Sequence, residues 1–508
     1  MSAEQSKPTG PDLTKGVAAK DVPDGGMIGG HVGDEAVLIA RHGDEFFAIG
    51  GTCSHYNGPL VEGLVVGDTV RCPWHHARFC LRSGEAIGAP AFNPVSCWRV
   101  ERRGDKVFVR GRIDAPERAA ARSAAGAAGS AERVVIVGGG AAGFACAEML
   151  RREGFTGALT LLSADADAPY DRPNCSKDYL AGNAPEDRMP LRPAEFYKDQ
   201  AIELRLGTEV KGIDGKAVAL ANGEAIAFDK LLLATGAEPV RLDFAGAGEP
   251  HVHLLRSLGD SRAIIAKAKT ARQAVVIGAS FIGLEAAAAL RTRDIEVHIA
   301  APERRPLERV LGAEYGDMIK ALHEEHGVIF HLEDTVSEIA GQDVKLKSGG
   351  KLRADLVVVG VGVRPRLQLA ESAGLKIDRG VVVNEYLETG IPGIFAAGDI
   401  ARWPDPHSGD NLRVEHWVVA ERQGQTVARN MLGQRQRFTD VPFFWSQHYD
   451  VPINYVGHAE KWDDLVVEGD IKARDCLVRY RKGGKVLAAA SIYRDLDSLK
   501  AELAMEMV

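Results

Sequence analysis

Cysteine is scarce in this chain, with seven in 508 residues. Scattered as they are, they exclude the dense disulfide framework of a small secreted scaffold, and a reducing cytoplasm is the expected compartment. Long apolar runs are missing too. None approaches the roughly 18 residues that mark a membrane-spanning helix, so no membrane partner is expected. The opening MSAEQSKPTGPDL has no apolar centre and does not read as a secretory signal. Positive charge is not in excess either. The formal net charge is −8, whereas a nucleic-acid partner needs a basic face, so none is expected. Glycine, by contrast, is plentiful at 56 residues, and several stand where a phosphate loop or a turn would need them. The length suggests roughly three to four domains.

The stretch RVVIVGGGAAG, residues 133–143, is an apolar run that stops at glycines and continues into small residues. It predicts a buried parallel strand, a tight turn and a helix N-terminus. In the pattern Gly138-x-Gly140-x-x-Gly143 the first glycine permits the turn. The second lets a pyrophosphate approach the backbone, and the third packs helix on strand. Helix N–H groups and the dipole favour phosphate there. Asp165, 22 residues past Gly143, stands where an acid takes ribose hydroxyls, with Asp167 as the alternative. A second fingerprint, Gly278-x-Ser280-x-x-Gly283, follows the strand-like AVVI and puts serine at the middle position. Two fingerprints imply two dinucleotides.

Upstream, short apolar strands alternate with Asp-Gly, Gly-Asp and Asn-Gly turns, which predicts a small all-β domain over 10–112. It carries Cys53-Ser54-His55 and, sixteen residues later, Cys72-Pro73-Trp74-His75. Two thiolates and two imidazoles could hold zinc. Each loop, however, offers one of each, which suits a Rieske [2Fe–2S] centre with both cysteines on one iron and both histidines on the other. The motif closely resembles the Rieske ferredoxins, and Gly84 in RSGE also looks like that family. The extra cysteine pair of high-potential members is missing after each ligand pair, so the resemblance implies the lower-potential ferredoxin type. His76 stands where the family commonly has glycine and is expected to support the site or lie at the surface rather than ligate. Cys80 and Cys97 are expected to pack as small hydrophobes. Residues 113–130, rich in Ala, Gly and Ser, read as a tether.

From 131 onward the segments PYDRPNCSK, LLLATGAEP, GIFAAGDIARW and EHW resemble the two-dinucleotide flavoproteins of the ferredoxin-reductase and disulfide-reductase type. The resemblance implies FAD on Gly138, Gly140, Gly143, Asp165, Arg172, Lys177, Thr235, Gly236, Gly398 and Asp399, with Glu415 and Trp417 beside the flavin. NADH or NADPH would exchange at Gly278, Ser280 and Gly283, and Glu285 would pair with Lys177 near the flavin ring as the catalytic pair. The acid that reads the NADH ribose would fall at Ala301. Glu303 lies two residues on, next to Arg304 and Arg305, which could accept a 2′-phosphate, and the reading leans to NADH.

The expected fold class is multidomain. An all-β Rieske domain precedes two Rossmann-like α/β domains, an FAD domain at 131–250 and 378–437 and an NAD(P)H domain at 251–377. A small αβ domain at 438–508 follows, which in the family often contributes a homodimer surface. There Phe444 and Trp445 either approach the flavin or simply pack. As a whole the chain resembles the apoptosis-inducing-factor-like proteins with a fused Rieske domain. That implies an NAD(P)H oxidoreductase passing electrons through FAD and its own cluster to an unidentified acceptor protein. Two alternatives stand beside it. One is a thiol or peroxide reductase using Cys175, whose N-C-x-x-x-Y-x-x-G spacing is that of single-cysteine reductases. The other is a redox sensor without turnover.

Overall fold

The computed structural model describes residues 8–114 and 132–507, so the tether lies almost wholly outside the described residues. The chain divides into two compact units.

The first unit holds the largely β domain expected from its sequence to be of Rieske type, and is called the Rieske body below for that expectation. A six-stranded antiparallel sheet contains Met27–Val32, Glu35–His42, Glu45–Gly50, Cys97–Arg103 and Lys106–Arg112. A second, four-stranded sheet joins Leu64–Val66, Thr69–Arg71, Arg78–Cys80 and Ala86–Gly88. The strands are short because turns interrupt them, and Gly33, Gly43, Gly67 and Gly104 supply the left-handed turn positions. Cys97 sits in the core with Leu38, Ile49, Phe79 and Val95, as a small hydrophobe.

From Arg494 onward the chain belongs to this unit. The last helix of the expected 438–508 domain, Asp495–Glu506, packs on the Rieske body. Glu502, fully buried, accepts from Arg71 (3.3 Å), His76 Nδ1 (2.8 Å) and Arg78 (3.3 Å). Glu506 takes Arg71 in a two-pronged bond of 3.0 and 2.6 Å and Arg78 at 2.9 Å. The helix places these carboxylates one turn apart on one face, and the strands present the two arginines from neighbouring positions, Arg71 opposite Arg78.

The second unit is built on two parallel five-stranded sheets. In the first the order is Glu203–Arg205, Ala158–Leu162, Arg133–Val137, Lys230–Leu233 and Ile394–Ala396. In the second it is Val252–Leu254, Leu356–Val359, Gln273–Ile277, Glu296–Ala301 and Val328–Leu332. Each fingerprint strand lies at the centre of its sheet, which is why VVIV and AVVI are apolar without alternation. The helix after the first fingerprint, Ala141–Arg152, packs against Trp417–Met431. The approach is close enough that a Cβ on Gly424 would stand 2.2 Å from the Ala142 carbonyl oxygen. A five-stranded antiparallel sheet, Phe443–His448 to Lys485–Ile492, completes the unit. Among the described residues no helix is long and apolar enough to cross a membrane.

Candidate functional site

In the Rieske body the two ligand loops share one local geometry. Cys53 N–H donates to Gly58 O at 2.8 Å, and Cys72 N–H to Ala77 O at 2.8 Å. The fourth residue after each cysteine, Asn57 and His76, has φ near +60°. That left-handed turn would favour glycine at position 76. Here histidine accepts the conformation and its ring is anchored on Glu502. It is fully buried, so it does not serve the surface.

Both cysteines are buried and outside any disulfide, while His55 and His75 are half-buried, with their Nδ1 atoms 3.3 Å apart. Desolvation pushes the His55 imidazole down to about 3, so it stays neutral and ready to ligate. Cysteines inside and histidines outside would suit a [2Fe–2S] cluster held between the two loops. A Cβ on Gly58 would stand 2.8 Å from Cys72 Sγ, so the cradle depends on its absence.

In the second unit a cavity of about 1740 Å³ gathers nearly all the expected nucleotide residues. Its walls include Gly138, Gly140, Asp165, Arg172, Lys177, Thr235, Gly236, Ser280, Glu285, Gly398, Asp399, Glu415 and Trp417. Gly143, Gly278 and Gly283 are not on the walls; they are packing glycines. A Cβ on Gly143 would lie 1.8 Å from Gly138 O, and one on Gly283 2.2 Å from Gly278 O. Around a Cβ on Gly140, among the described residues, there is open space. A free approach at this position beside a helix N-terminus is what a pyrophosphate needs. Serine at position 280 has its own task. Its hydroxyl accepts from Gly283 N at 3.2 Å, capping the helix Phe281–Thr292, and donates to Gly360 O at 2.7 Å.

Polar partners organise the walls. Asp165 accepts the Tyr170 hydroxyl at 2.9 Å. Asp167, its alternative, is held by Arg262 at 2.8 Å. Arg172 donates to Arg256 O at 3.0 Å, and Thr235 to Arg366 O at 2.7 Å. Asp399 pairs with Arg256, a cavity residue with no motif around it to draw notice. Glu415 pairs with Arg413 at 2.5 Å.

Lys177 and Glu285 meet at 2.9 Å although 108 positions apart. Burial pushes the Glu285 carboxyl up, but the Lys177 ammonium and the Ser176 and Ser446 hydroxyls outweigh it, and the net shift is downward. Phe444 and Trp445 both face the cavity. Phe444 also stacks on Tyr455, meets Phe281 edge-on and lies tilted against His416, while the Trp445 ring centre lies 5.9 Å from the Lys177 ammonium. Cys175 is at the wall yet only 2% exposed, among Tyr170, Tyr179, Met189 and Leu258. Desolvation pushes its thiol up to about 12.

The pyridine nucleotide-disulphide oxidoreductase profile matches residues 132–424, across both fingerprints. The chain belongs to this family. A Rieske [2Fe-2S] domain profile matches 14–99 and a reductase C-terminal profile 443–507. Apoptosis-inducing factor 3 of Homo sapiens is 34% identical over 94% of this chain and 81% of its own length. Rhodocoxin reductase of Rhodococcus erythropolis is 37% identical over 74% of this chain and 90% of its own. Among solved structures, the covalent putidaredoxin reductase–putidaredoxin complex aligns with a TM-score of 0.72 at 33% identity, over 74% of this chain and 93% of that one.

This member of the pyridine nucleotide-disulphide oxidoreductases is thus an FAD-dependent NAD(P)H oxidoreductase carrying a Rieske [2Fe–2S] domain, and its multidomain α/β architecture is that of its relatives. The residues present fit these groups. An open approach at Gly140 would admit a pyrophosphate, and the inner cysteines and outer histidines would hold a cluster.

Proposed function

We propose that this protein passes electrons from NAD(P)H, with FAD as relay, to its own Rieske centre and on to an external redox acceptor, an oxygenase or an electron-transfer protein. The reading is supported by one chain holding both a cavity lined from the two fingerprint loops and a set of two cysteines and two half-buried histidines next to an exposed Trp74. Bound flavin supplies the exchange between a two-electron hydride donor and single-electron carriers. The chain's residues supply the rest. Gly138, Gly140 and Asp165 seat the dinucleotide. Arg256 fixes Asp399, and Lys177 and Glu285 hold compensated charge at the cavity wall.

A protein partner is supported by the putidaredoxin complex of the solved relative. A homodimer through the C-terminal domain and a cytoplasmic setting belong to the same proposal. NADH is the favoured donor. Glu303 Oε2 has no hydrogen-bond partner among the described residues, whereas Arg305 is committed to Asp317 and Glu308 and is not spare for a 2′-phosphate.

Replacing His75 with serine should abolish reduction of cytochrome-like acceptors while NADH still bleaches the flavin. Unchanged cytochrome reduction would overturn the route through the cluster. Thiol chemistry at Cys175 is not favoured, because a buried thiol shifted upward is not a thiolate at neutral pH.

A further inference from the structure

The Lys177–Glu285 pair is the inner end of a longer chain of hydrogen bonds. The second oxygen of Glu285 accepts the Ser446 hydroxyl at 2.5 Å. Ser446 Oγ contacts His448 Nε2 at 3.1 Å, and His448 Nδ1 contacts His323 Nε2 at 3.2 Å. His323 Nδ1 then lies 3.5 Å from the Tyr449 hydroxyl. Ser446, His448 and His323 are at most 1% exposed, Tyr449 is half-buried, and exposed His326 stacks on the Tyr449 ring at 3.6 Å. The run leads from the cavity wall to the surface.

The reaction leaves a proton to dispose of. Oxidation of one NAD(P)H by two one-electron acceptors gives NAD(P)⁺, two reduced acceptors and one H⁺. The nicotinamide C–H bond breaks, its two electrons leave one at a time, and its proton is left at the inner wall of the cavity, where Glu285 is only 3% exposed. We infer that Ser446, His448, His323 and Tyr449 form a proton relay joining Glu285 to solvent.

The geometry fits that task in three ways. Every neighbour pair is a hydrogen bond or at its limit, without a gap. A neutral imidazole has one donor and one acceptor nitrogen, which is what a relay member needs. Desolvation, the largest influence on both rings, keeps them neutral, with His448 pushed down to about 4. Ionised Glu285 then orients the whole run. Ser446 donates to Glu285, His448 Nε2–H to Ser446, His323 Nε2–H to His448 and Tyr449 O–H to His323. That is the arrangement left after a proton has passed outward from a protonated Glu285. Finally, Tyr449 occupies a left-handed backbone position, φ +58°, in the turn between strands Phe443–His448 and Val451–Gly457. The two-residue turn requires that conformation and so fixes the backbone at the outer end of the run.

The relay rests on NAD(P)H oxidation by one-electron acceptors, whichever the acceptor and whatever the role of the cluster. Full-length holoenzyme is mixed with NADH and excess ferricyanide in weak buffer containing a pH-indicator dye. Proton appearance should keep pace with flavin reoxidation in the wild type. It should lag at least about tenfold in His448→Phe, with a smaller lag in Tyr449→Phe, while NADH affinity holds. Nitrogen-15 spectra of the oxidised holoenzyme should show His323 and His448 each as a single Nε2–H tautomer, and Tyr449→Phe should disturb His323 first. Wild-type proton release in both variants, or mixed tautomers at both rings, overturns the relay. Because the tautomers are read without turnover, a failed relay and a failed electron-transfer route are distinguishable.

Discussion

Glu285 keeps its charge where burial alone would remove it. Its depressed pKa makes a definite pH statement. A carboxylate whose folded pKa lies below its unfolded one contributes stability that is complete above the ordinary carboxylate value. That contribution is lost as pH falls from there through the depressed value. Glu285→Gln should cost about 3–5 kcal/mol at neutral pH, because Lys177 is left uncompensated. It should also flatten the acid limb of a melting-temperature profile. At Glu303 the orphaned carboxylate oxygen leads to a different expectation. Glu303→Ala should narrow the preference for NADH over NADPH by about tenfold, the worth of one charge-assisted hydrogen bond, as read from the two kcat/KM ratios. At this scale the sequence is unevenly legible. The four cluster ligands and the fingerprint glycines announce themselves, because their spacing is local. The pairing of Lys177 with Glu285 is visible only through family resemblance. Ser446, His448 and His323 carry no local pattern, since the bonds joining them to Glu285 and to each other cross up to 161 positions.

Strand, turn and helix around each fingerprint are legible because one short segment encodes all three. What the pattern alone does not separate is which glycine serves the fold and which serves the ligand. Gly143→Ala drives a Cβ into backbone and should destabilise the protein by about 1–3 kcal/mol. Gly140→Ala meets no protein atom. It should leave apo-protein melting within about 0.5 kcal/mol of wild type while weakening FAD retention. Calorimetry with flavin titration distinguishes the two. The helix Asp495–Glu506 is the opposite case. No local spacing marks Glu502 as buried, yet it is fully buried against Arg71, His76 and Arg78. Glu502→Gln should lower the temperature at which the cluster's visible absorption bleaches, consistent with about 3–5 kcal/mol for an unpaired buried charge.

The order of domains along the whole chain is readable from motifs, and the profile matches fall in that order. Compact units need not follow it. The reductase C-terminal profile runs to residue 507, whereas from Arg494 the chain packs with the Rieske body. The reason is physical. The boundary is set by which carboxylates meet which arginines, and those partners lie some 430 positions apart. The Rieske body is therefore assembled from two distant lengths of one polypeptide. Suppose a protease site were engineered between residues 115 and 131 and cut to completion. A denaturing gel would show two bands, yet the fragments should leave a sizing column together, held by Glu502 and Glu506. Only high salt combined with Glu502→Gln and Glu506→Gln should let the brown-coloured piece elute alone.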